Sequence, residues 1–183
     1  MAVRQKPSSE GLAKPPAQKA GDPDRRTAGR DEEAVEEFLW SIISIHSDFE
    51  EISFASAQML GINVHQWMIL MGIRNLDRGG GVSVKGVSAK LHADPSFVTS
   101  QSKSLEKHGF VRRIPSSEDA RVVLMSLTDK AYKEIASLYS RQESIRESIF
   151  ADLDDRGLRD LNEKLSMLRE RFQRAAKRLA AEL

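Results

Sequence analysis

The sequence has no cysteine among its 183 residues. Without a thiol, the chain forms no disulfide, carries no thiol redox sensor, and offers neither cysteine-ligated zinc nor a cysteine nucleophile. It also has no apolar run near the roughly 20 residues that cross a bilayer, and its polar N-terminus lacks the apolar region of a secretory signal. We therefore expect a cytoplasmic protein.

Catalytic motifs are absent as well. The four histidines, at positions 46, 65, 92 and 108, are scattered, and no HExxH, G-x-S-x-G or phosphate-cradling loop occurs. His65 and the acidic residues of the first helix give no tetrahedral set of metal ligands. We predict no enzymatic activity, no cofactor and no metal site.

A strong overall charge is also missing. The formal net charge is +1, with 40% hydrophobic and 30% charged residues. This length suits one domain, or a small domain with helical extensions. Any nucleic-acid site must therefore come from local clustering of basic residues.

Residues 1–30 differ from the rest of the chain. They hold four of the six prolines, hardly a large apolar side chain, and seven basic against three acidic residues, a net charge of +4. Such a segment cannot bury enough surface to offset the entropy lost on ordering, so we predict a disordered tail. It either adds non-specific DNA affinity as a basic arm or is simply a solvated tail.

Two segments repeat apolar residues at alternating steps of three and four, the spacing of one helix face. The first, residues 31–60, begins with an acidic run and carries Val35, Phe38 and Ile42. The second lies in residues 128–183, after a helix predicted over residues 128–150 with Thr128 as its cap. Its repeat consists of Leu161, Leu165, Leu168, Phe172 and Leu179.

Residues 61–127 mix short helical and extended patterns. The run VHQWMILMGIRNL predicts one helix, Ser83 caps a second, and a third has Asp94 as cap, Pro95 at its first position and its end at Gly109. The runs FVRRI and RVVLMSL alternate as strands on either side of the turn-rich PSSEDA. Two helices joined by a tight turn and followed by a hairpin predict a winged helix-turn-helix. We therefore expect a mainly α fold with a small β-wing and with N- and C-terminal dimerisation helices.

The helix after Asp94 displays more polar groups than a packing helix needs. At about 100° per residue, Val98, Ser102 and Leu105 share one narrow face. The opposite face carries Ser96, Ser100, Lys103 and Lys107, and the two flanks between these faces carry Phe97, Thr99 and Ser104. Hydroxyls and ammonium groups suit phosphates and base edges, and an apolar ring suits a thymine methyl, so we predict a helix that reads the DNA major groove.

Basic residues are concentrated around this helix. Residues 82–122 hold seven basic and four acidic residues, a net charge of +3. Arg121 follows the hairpin tip, where it can enter the minor groove while Asp119 holds its position; the alternative is a surface ion pair of little worth. The predicted DNA contacts are Ser96, Phe97, Thr99, Ser100, Lys103, Ser104, Lys107, Arg113, Asp119 and Arg121.

The run QWMIL, followed by VSVKGVSAKLHADPSFVTSQSKSLEKHGFVRRIPSSEDARVVLMSLT, resembles the MarR family of bacterial regulators, and the resemblance extends over roughly residues 34–180. Asp119 and Arg121 match the family's Asp-x-Arg in the wing, and the stretch from Ser96 matches its Ser-x-Val-Thr. The resemblance implies a dimer whose first and last helices interlock, bound to a pseudo-palindromic operator. It also implies a small ligand, frequently an aromatic acid or related compound, that changes the spacing of the two reading helices and releases DNA.

The sequence departs from the family at several of these positions. Ser100 stands where an Arg is frequent, Gln101 and Ser102 where apolar residues are usual, and Ala120 where the wing often has Arg. Base preference therefore cannot be copied from relatives. We also expect the reading helix to pack less tightly on its neighbours.

Dimerisation is expected from the residues themselves as well. A polar winged helix cannot bury both apolar repeats alone, whereas pairing across a two-fold axis buries them. Such pairing places two reading helices about one DNA turn, roughly 34 Å, apart. The alternative is that the repeats pack within one chain.

An effector pocket is expected where the dimerisation helices meet the DNA-binding lobe, because apolar walls with a few polar groups suit an aromatic acid. The candidate lining residues are Trp40, His46, Phe49, His65, Trp67, Met71 and Arg74. For Trp67 the alternative is a core residue, and for the histidines it is a surface or satisfied core position.

We predict a homodimeric transcriptional regulator that represses from a pseudo-palindromic operator until an effector releases it. Two alternatives stay open. The long helices could bind another chain in a protein-interaction module, or the lobe could serve an effector-independent architectural DNA-binding protein, which discriminates little between operator and random duplex.

Overall fold

The computed structural model describes the backbone of residues 23–182 and the side chains of residues 32–182. The predicted tail thus lies outside the described residues up to residue 22. The elements in chain order are α1 (Pro23–Met59), α2 (Val64–Leu76), β1 (Val82–Ser83), α3 (Val84–Leu91), α4 (Pro95–Lys107), β2 (Val111–Pro115), β3 (Val123–Leu127), α5 (Asp129–Arg141), α6 (Glu143–Ile149) and α7 (Asp155–Glu182). The fold is mainly helical with one small antiparallel sheet, as predicted.

The first helix is longer than its acidic run predicted. It begins at Pro23 instead of Asp31, and a proline suits the first turn because its missing N–H has no helical partner there. The chain divides after Phe49 into two units, which we describe separately. In the first unit every described side chain of α1 is exposed, including those of the predicted apolar repeat, Val35, Phe38 and Ile42.

The second unit, from Glu50 onward, contains the hydrophobic core. Its centre consists of side chains that are less than 2% exposed on α2, α3, α4, β3 and α5, among them Leu70, Val87, Leu105, Met125 and Ile135. Burial of such side chains contributes about 1.5–3 kcal/mol each. This packing fixes the helix-turn-helix and the hairpin relative to each other.

The sheet has three strands in the order β1-β3-β2, all antiparallel. The hairpin of β2 and β3 is confirmed, with Val111 opposite Leu127 and Pro115 opposite Val123. The strand β1 was not predicted. It is two residues long, too short for an alternating pattern, and it forms because Val82 pairs with Met125, more than forty residues later in the sequence.

Helix caps are where the sequence predicts the structure best. Ser83 accepts a hydrogen bond from the Gly86 N–H and Thr128 from the Ala131 N–H, which confirms both as N-caps. Gly109 ends α4 with a φ of 75°, a left-handed conformation that glycine adopts without strain. The Phe110 N–H then donates to the Leu105 carbonyl, 2.9 Å away, and the chain turns into β2.

The C-terminal helices differ from the prediction at one point. A single helix was expected over residues 128–150, but α5 and α6 meet at Gln142, whose φ is −102° and ψ 9°. The Gln142 amide donates to the Ser56 hydroxyl at 3.3 Å, a contact with α1 that no local pattern reveals. Neither α6 nor α7 buries a residue, and the α7 repeat is exposed at Leu161, Leu165, Phe172 and Leu179, with Leu168 half-buried.

Within the part of the chain that the structure describes, no helix is both long and apolar enough to span a membrane.

Candidate nucleic-acid interface

The helix α4 is held at its start by Asp94. One carboxylate oxygen accepts hydrogen bonds from the backbone N–H groups of Ser96, at 2.7 Å, and Phe97, at 3.4 Å, while Pro95 occupies the first helical position. The Ser96 side chain and these two N–H groups stabilise the carboxylate, so they hold the pKa of Asp94 below its ordinary value of 3.8.

The two faces of α4 are oriented as predicted. Val98, Ser102 and Leu105 are fully buried. The Ser102 hydroxyl donates to the Thr99 carbonyl at 3.1 Å, which explains how a polar residue is accommodated where an apolar one is usual. The opposite positions, Ser96, Ser100, Lys103 and Lys107, are all exposed.

The residues on the flanks of α4 form hydrogen bonds and a ring contact within the protein. The Thr99 hydroxyl donates to the Pro95 carbonyl at 2.8 Å, and the Ser104 hydroxyl accepts from the side-chain amide of Gln66 in α2 at 3.0 Å. Phe97 is 37% exposed and its ring meets the ring of His65 edge-on, with centroids 5.3 Å apart. Of these flanking groups, Phe97 presents the largest free surface to a partner.

Arg121 lies at the exposed tip of the wing, and Asp119 bonds to its backbone. The Asp119 carboxylate accepts from the backbone N–H of Arg121 at 2.9 Å, so it stabilises the turn at the tip of the wing. Arg113, on β2, is half-buried, and its Nε is buried without a hydrogen-bond partner. Arg113 is therefore less available for a phosphate than the exposed Arg121.

One cation near α4 was missed in the sequence. The Lys130 ammonium, on α5, donates to the His108 carbonyl at 2.9 Å and lies 4.6 Å from the centre of the Phe110 ring. It thus adds a positive charge next to the C-terminal end of α4, where the helix dipole favours one. Only the pairing of α5 with the α4–β2 turn, 22 residues apart, places it there.

The predicted effector residues are divided between the two units. Trp40, His46 and Phe49 belong to the first unit, where Trp40 is 67% exposed. In the second unit Trp67 is 4% exposed within the core, in agreement with its alternative interpretation. His65 contacts Phe97 at one end of α2, roughly 14 Å along the axis from Arg74 at the other.

Met71 and Arg74 do lie together, around Tyr139 of α5. The Tyr139 hydroxyl contacts the Met71 sulfur at 3.3 Å, and the Arg74 guanidinium lies 4.7 Å from the centre of the Tyr139 ring. The guanidinium of Arg146 is 5.4 Å from the same centre. Sequence spacing could not have indicated Tyr139 or Arg146, because they come from α5 and α6. We call these four residues the arginine–tyrosine cluster.

The cap of α4 gives a first testable expectation. Because the pKa of Asp94 is lower in the folded protein than in the unfolded chain, its contribution to stability is complete above pH 3.8 and is lost as the pH falls through the lowered value. We expect Asp94→Ala to lower the melting temperature at pH 7, and the difference from the wild type to shrink as the pH falls below 3.8 and through the lowered pKa. Asp94→Asn keeps a neutral hydrogen-bond acceptor, so the difference in melting temperature between Asp94→Asn and Asp94→Ala should change little with pH. A difference between the wild type and Asp94→Ala that does not depend on pH would contradict this expectation.

These features define a winged helix-turn-helix protein: α3 and α4 joined by a tight turn, with the β2–β3 hairpin as the wing. Residues 62–123 match the model of the MarR family. This segment, about a third of the chain, is thus similar to a family of transcriptional regulators, in line with the resemblance that the sequence indicated.

The chain is similar to YfiV, an uncharacterised HTH-type transcriptional regulator of Bacillus subtilis (strain 168). The two are 35% identical over 82 residues, which cover 45% of this chain and 49% of YfiV. The chain spans about half the length of the curated relatives it matches.

Solved structures show the same fold over most of the chain. A MarR transcriptional regulator from Methanosarcina mazei Go1 is 24% identical, with a TM-score of 0.59, and the match covers 76% of this chain and 99% of that one. A mutant of MepR from S. aureus, solved bound to an oligodeoxyribonucleotide, is 15% identical, with a TM-score of 0.50 and coverage of 75% and 97%.

Proposed function

We propose that this chain is a homodimeric DNA-binding regulator, a repressor that acts in the cytoplasm and is released from its operator by a small effector. The observation that carries the proposal is the exposed face of α4, where two hydroxyls and two ammonium groups lie opposite a fully buried face. A helix that served only for packing has no need of this arrangement, whereas phosphates and base edges bind all four groups.

Binding to the DNA that flanks the protein's own gene tests this proposal. We expect one fragment, which we call the operator, to be bound more tightly than a scrambled duplex of equal length, with affinity that falls steeply with salt. Equal affinity for both duplexes favours an architectural protein. An absence of salt-sensitive binding favours the protein-interaction module.

The dimer is supported by the exposed apolar side chains of α7 and α6. Phe172 is 54% exposed, Leu179 64% and Ile149 53%, although monomeric proteins rarely expose extended apolar surfaces. In the first unit, α1 likewise exposes Val35 and Ile42. We propose that a second copy covers these faces and so places two α4 helices on one duplex.

We propose the arginine–tyrosine cluster as the place where an effector binds. Arg74 and Arg146 bring two positive charges to one aromatic ring, and Arg74 is exposed. A carboxylate between them would neutralise the charges, while its aromatic ring could pack on Tyr139 and Met71. The chemical class that fits is an aromatic acid.

Thermal shift measures this effector binding. A ligand at 100 times its dissociation constant stabilises a folded protein by about 2.7 kcal/mol, so an aromatic acid that binds should raise the melting temperature by several degrees. We expect Arg74→Gln to abolish at least half of that rise. Arg78→Gln, an exposed arginine just beyond α2, is the matched control and should retain it; an equal rise in Arg74→Gln would exclude this site.

A further inference from the structure

Two side chains at the start of α2 contact α4. Asn63 and Gln66 form a capping box: the Asn63 side chain accepts from the Gln66 N–H at 2.9 Å, and the Gln66 side-chain oxygen accepts from the Asn63 N–H at 3.2 Å. Such pairs usually serve only their own helix. Here each also uses its amide N–H group to reach α4.

One of the two bonds to α4 reaches the flanking residue Ser104, and the other reaches Gln101. The Gln66 amide donates to the Ser104 hydroxyl at 3.0 Å, and the Asn63 amide donates to Gln101 at 3.4 Å. Gln66 is 6% exposed, so its amide group has little access to water and depends on these protein partners. We call the four residues the α2–α4 clasp.

The clasp adds directional hydrogen bonds to the apolar packing of α4. Val98 and Leu105 are fully buried in the core, and the bonds from Asn63 and Gln66 reach α4 beside them, at Gln101 and Ser104. Hydrogen bonds fix orientation more narrowly than apolar contact does, because they weaken steeply as their angles change.

From this geometry we infer that Gln66 is a positioning residue for DNA recognition: it acts through Ser104 to set the orientation of α4, and with it the preference for operator over other DNA. This inference rests on the proposed function. Because Gln66 is buried and uncharged, it contributes no phosphate contact of its own.

Gln66→Met tests the inference, because methionine has a similar length but neither donor nor acceptor. Affinities for operator and scrambled duplex are measured over a range of salt, together with amide hydrogen exchange. We expect the preference for operator to fall about tenfold, with the salt slope and the affinity for scrambled DNA unchanged, and exchange to accelerate in residues 100–107. Loss of the cap alone would lower the fraction of folded protein and both affinities together.

Two further variants sharpen the test. In a Ser104→Ala background, Gln66→Met should reduce the preference little further, because its partner is already gone. Gln142→Met removes a similar amide–serine bond, to Ser56, which does not touch α4, and should leave the preference intact.

The outcomes separate this inference from the proposed function. Suppose that the wild type prefers the operator, but Gln66→Met keeps either that preference or the slow amide hydrogen exchange of α4. The inference is then overturned, while the proposed function stands. If the wild type itself shows no preference for the operator, the proposed function is overturned and the inference with it.

Discussion

Phe172→Glu on α7 is expected to give a monomer whose affinity for the operator is at least 100-fold below that of the wild type. The reason is that a carboxylate cannot be buried in an apolar interface without a partner, and that linked half-site contacts raise affinity by about 10²–10⁴ over single ones. Phe172 is 54% exposed in the single chain, so its replacement should leave the winged lobe folded.

Light scattering and anisotropy measurements on the same samples check this expectation. Ser166→Glu is the matched control, because it adds the same charge to α7 on the side away from the apolar repeat. It should remain dimeric and bind as the wild type does. A Phe172→Glu variant that stays dimeric, or a monomer with full operator affinity, would contradict the proposed arrangement.

The second large effect is expected on operator affinity, from Lys103→Ala and Arg121→Ala. Both side chains are exposed, Lys103 on the outer face of α4 and Arg121 on the wing. If each meets one phosphate, each substitution should weaken binding to every duplex by a similar factor and reduce the slope of log affinity against log salt by about one.

The salt series distinguishes a lost phosphate contact from a general loss of folded protein, which shifts the line without changing its slope. Lys133→Ala removes the same charge from an exposed position on α5 and should affect the slope less. If both Lys103→Ala and Arg121→Ala left affinity and slope unchanged, neither residue would belong to the interface.

The features that the sequence predicted correctly depend on residues close together in the chain. The caps at Ser83, Asp94 and Thr128 were predicted correctly, because a cap is defined by two or three neighbouring residues. The buried face of α4 followed from helical spacing alone, since Val98 and Leu105 lie seven residues apart.

The features that the sequence did not predict depend on contacts between residues far apart in the chain. The strand β1 forms by pairing with Leu124 and Met125 of β3, and the break at Gln142 accompanies a bond to Ser56. The arginine–tyrosine cluster and the Gln66–Ser104 bond likewise join different helices. Asp119 was predicted to hold Arg121 in position, and it bonds to the backbone of that residue, because a short acidic side chain satisfies the nearest backbone N–H before it reaches a guanidinium.

Hydroxyl-radical footprinting of the protein on its operator tests most directly whether the outer face of α4 reads DNA as one of a symmetric pair. We predict two protected patches related by two-fold symmetry, with centres about one helical turn, roughly 34 Å, apart, and both weakened together by Lys103→Ala. A single patch, protection that does not depend on sequence, or two patches unaffected by the substitution would contradict the account.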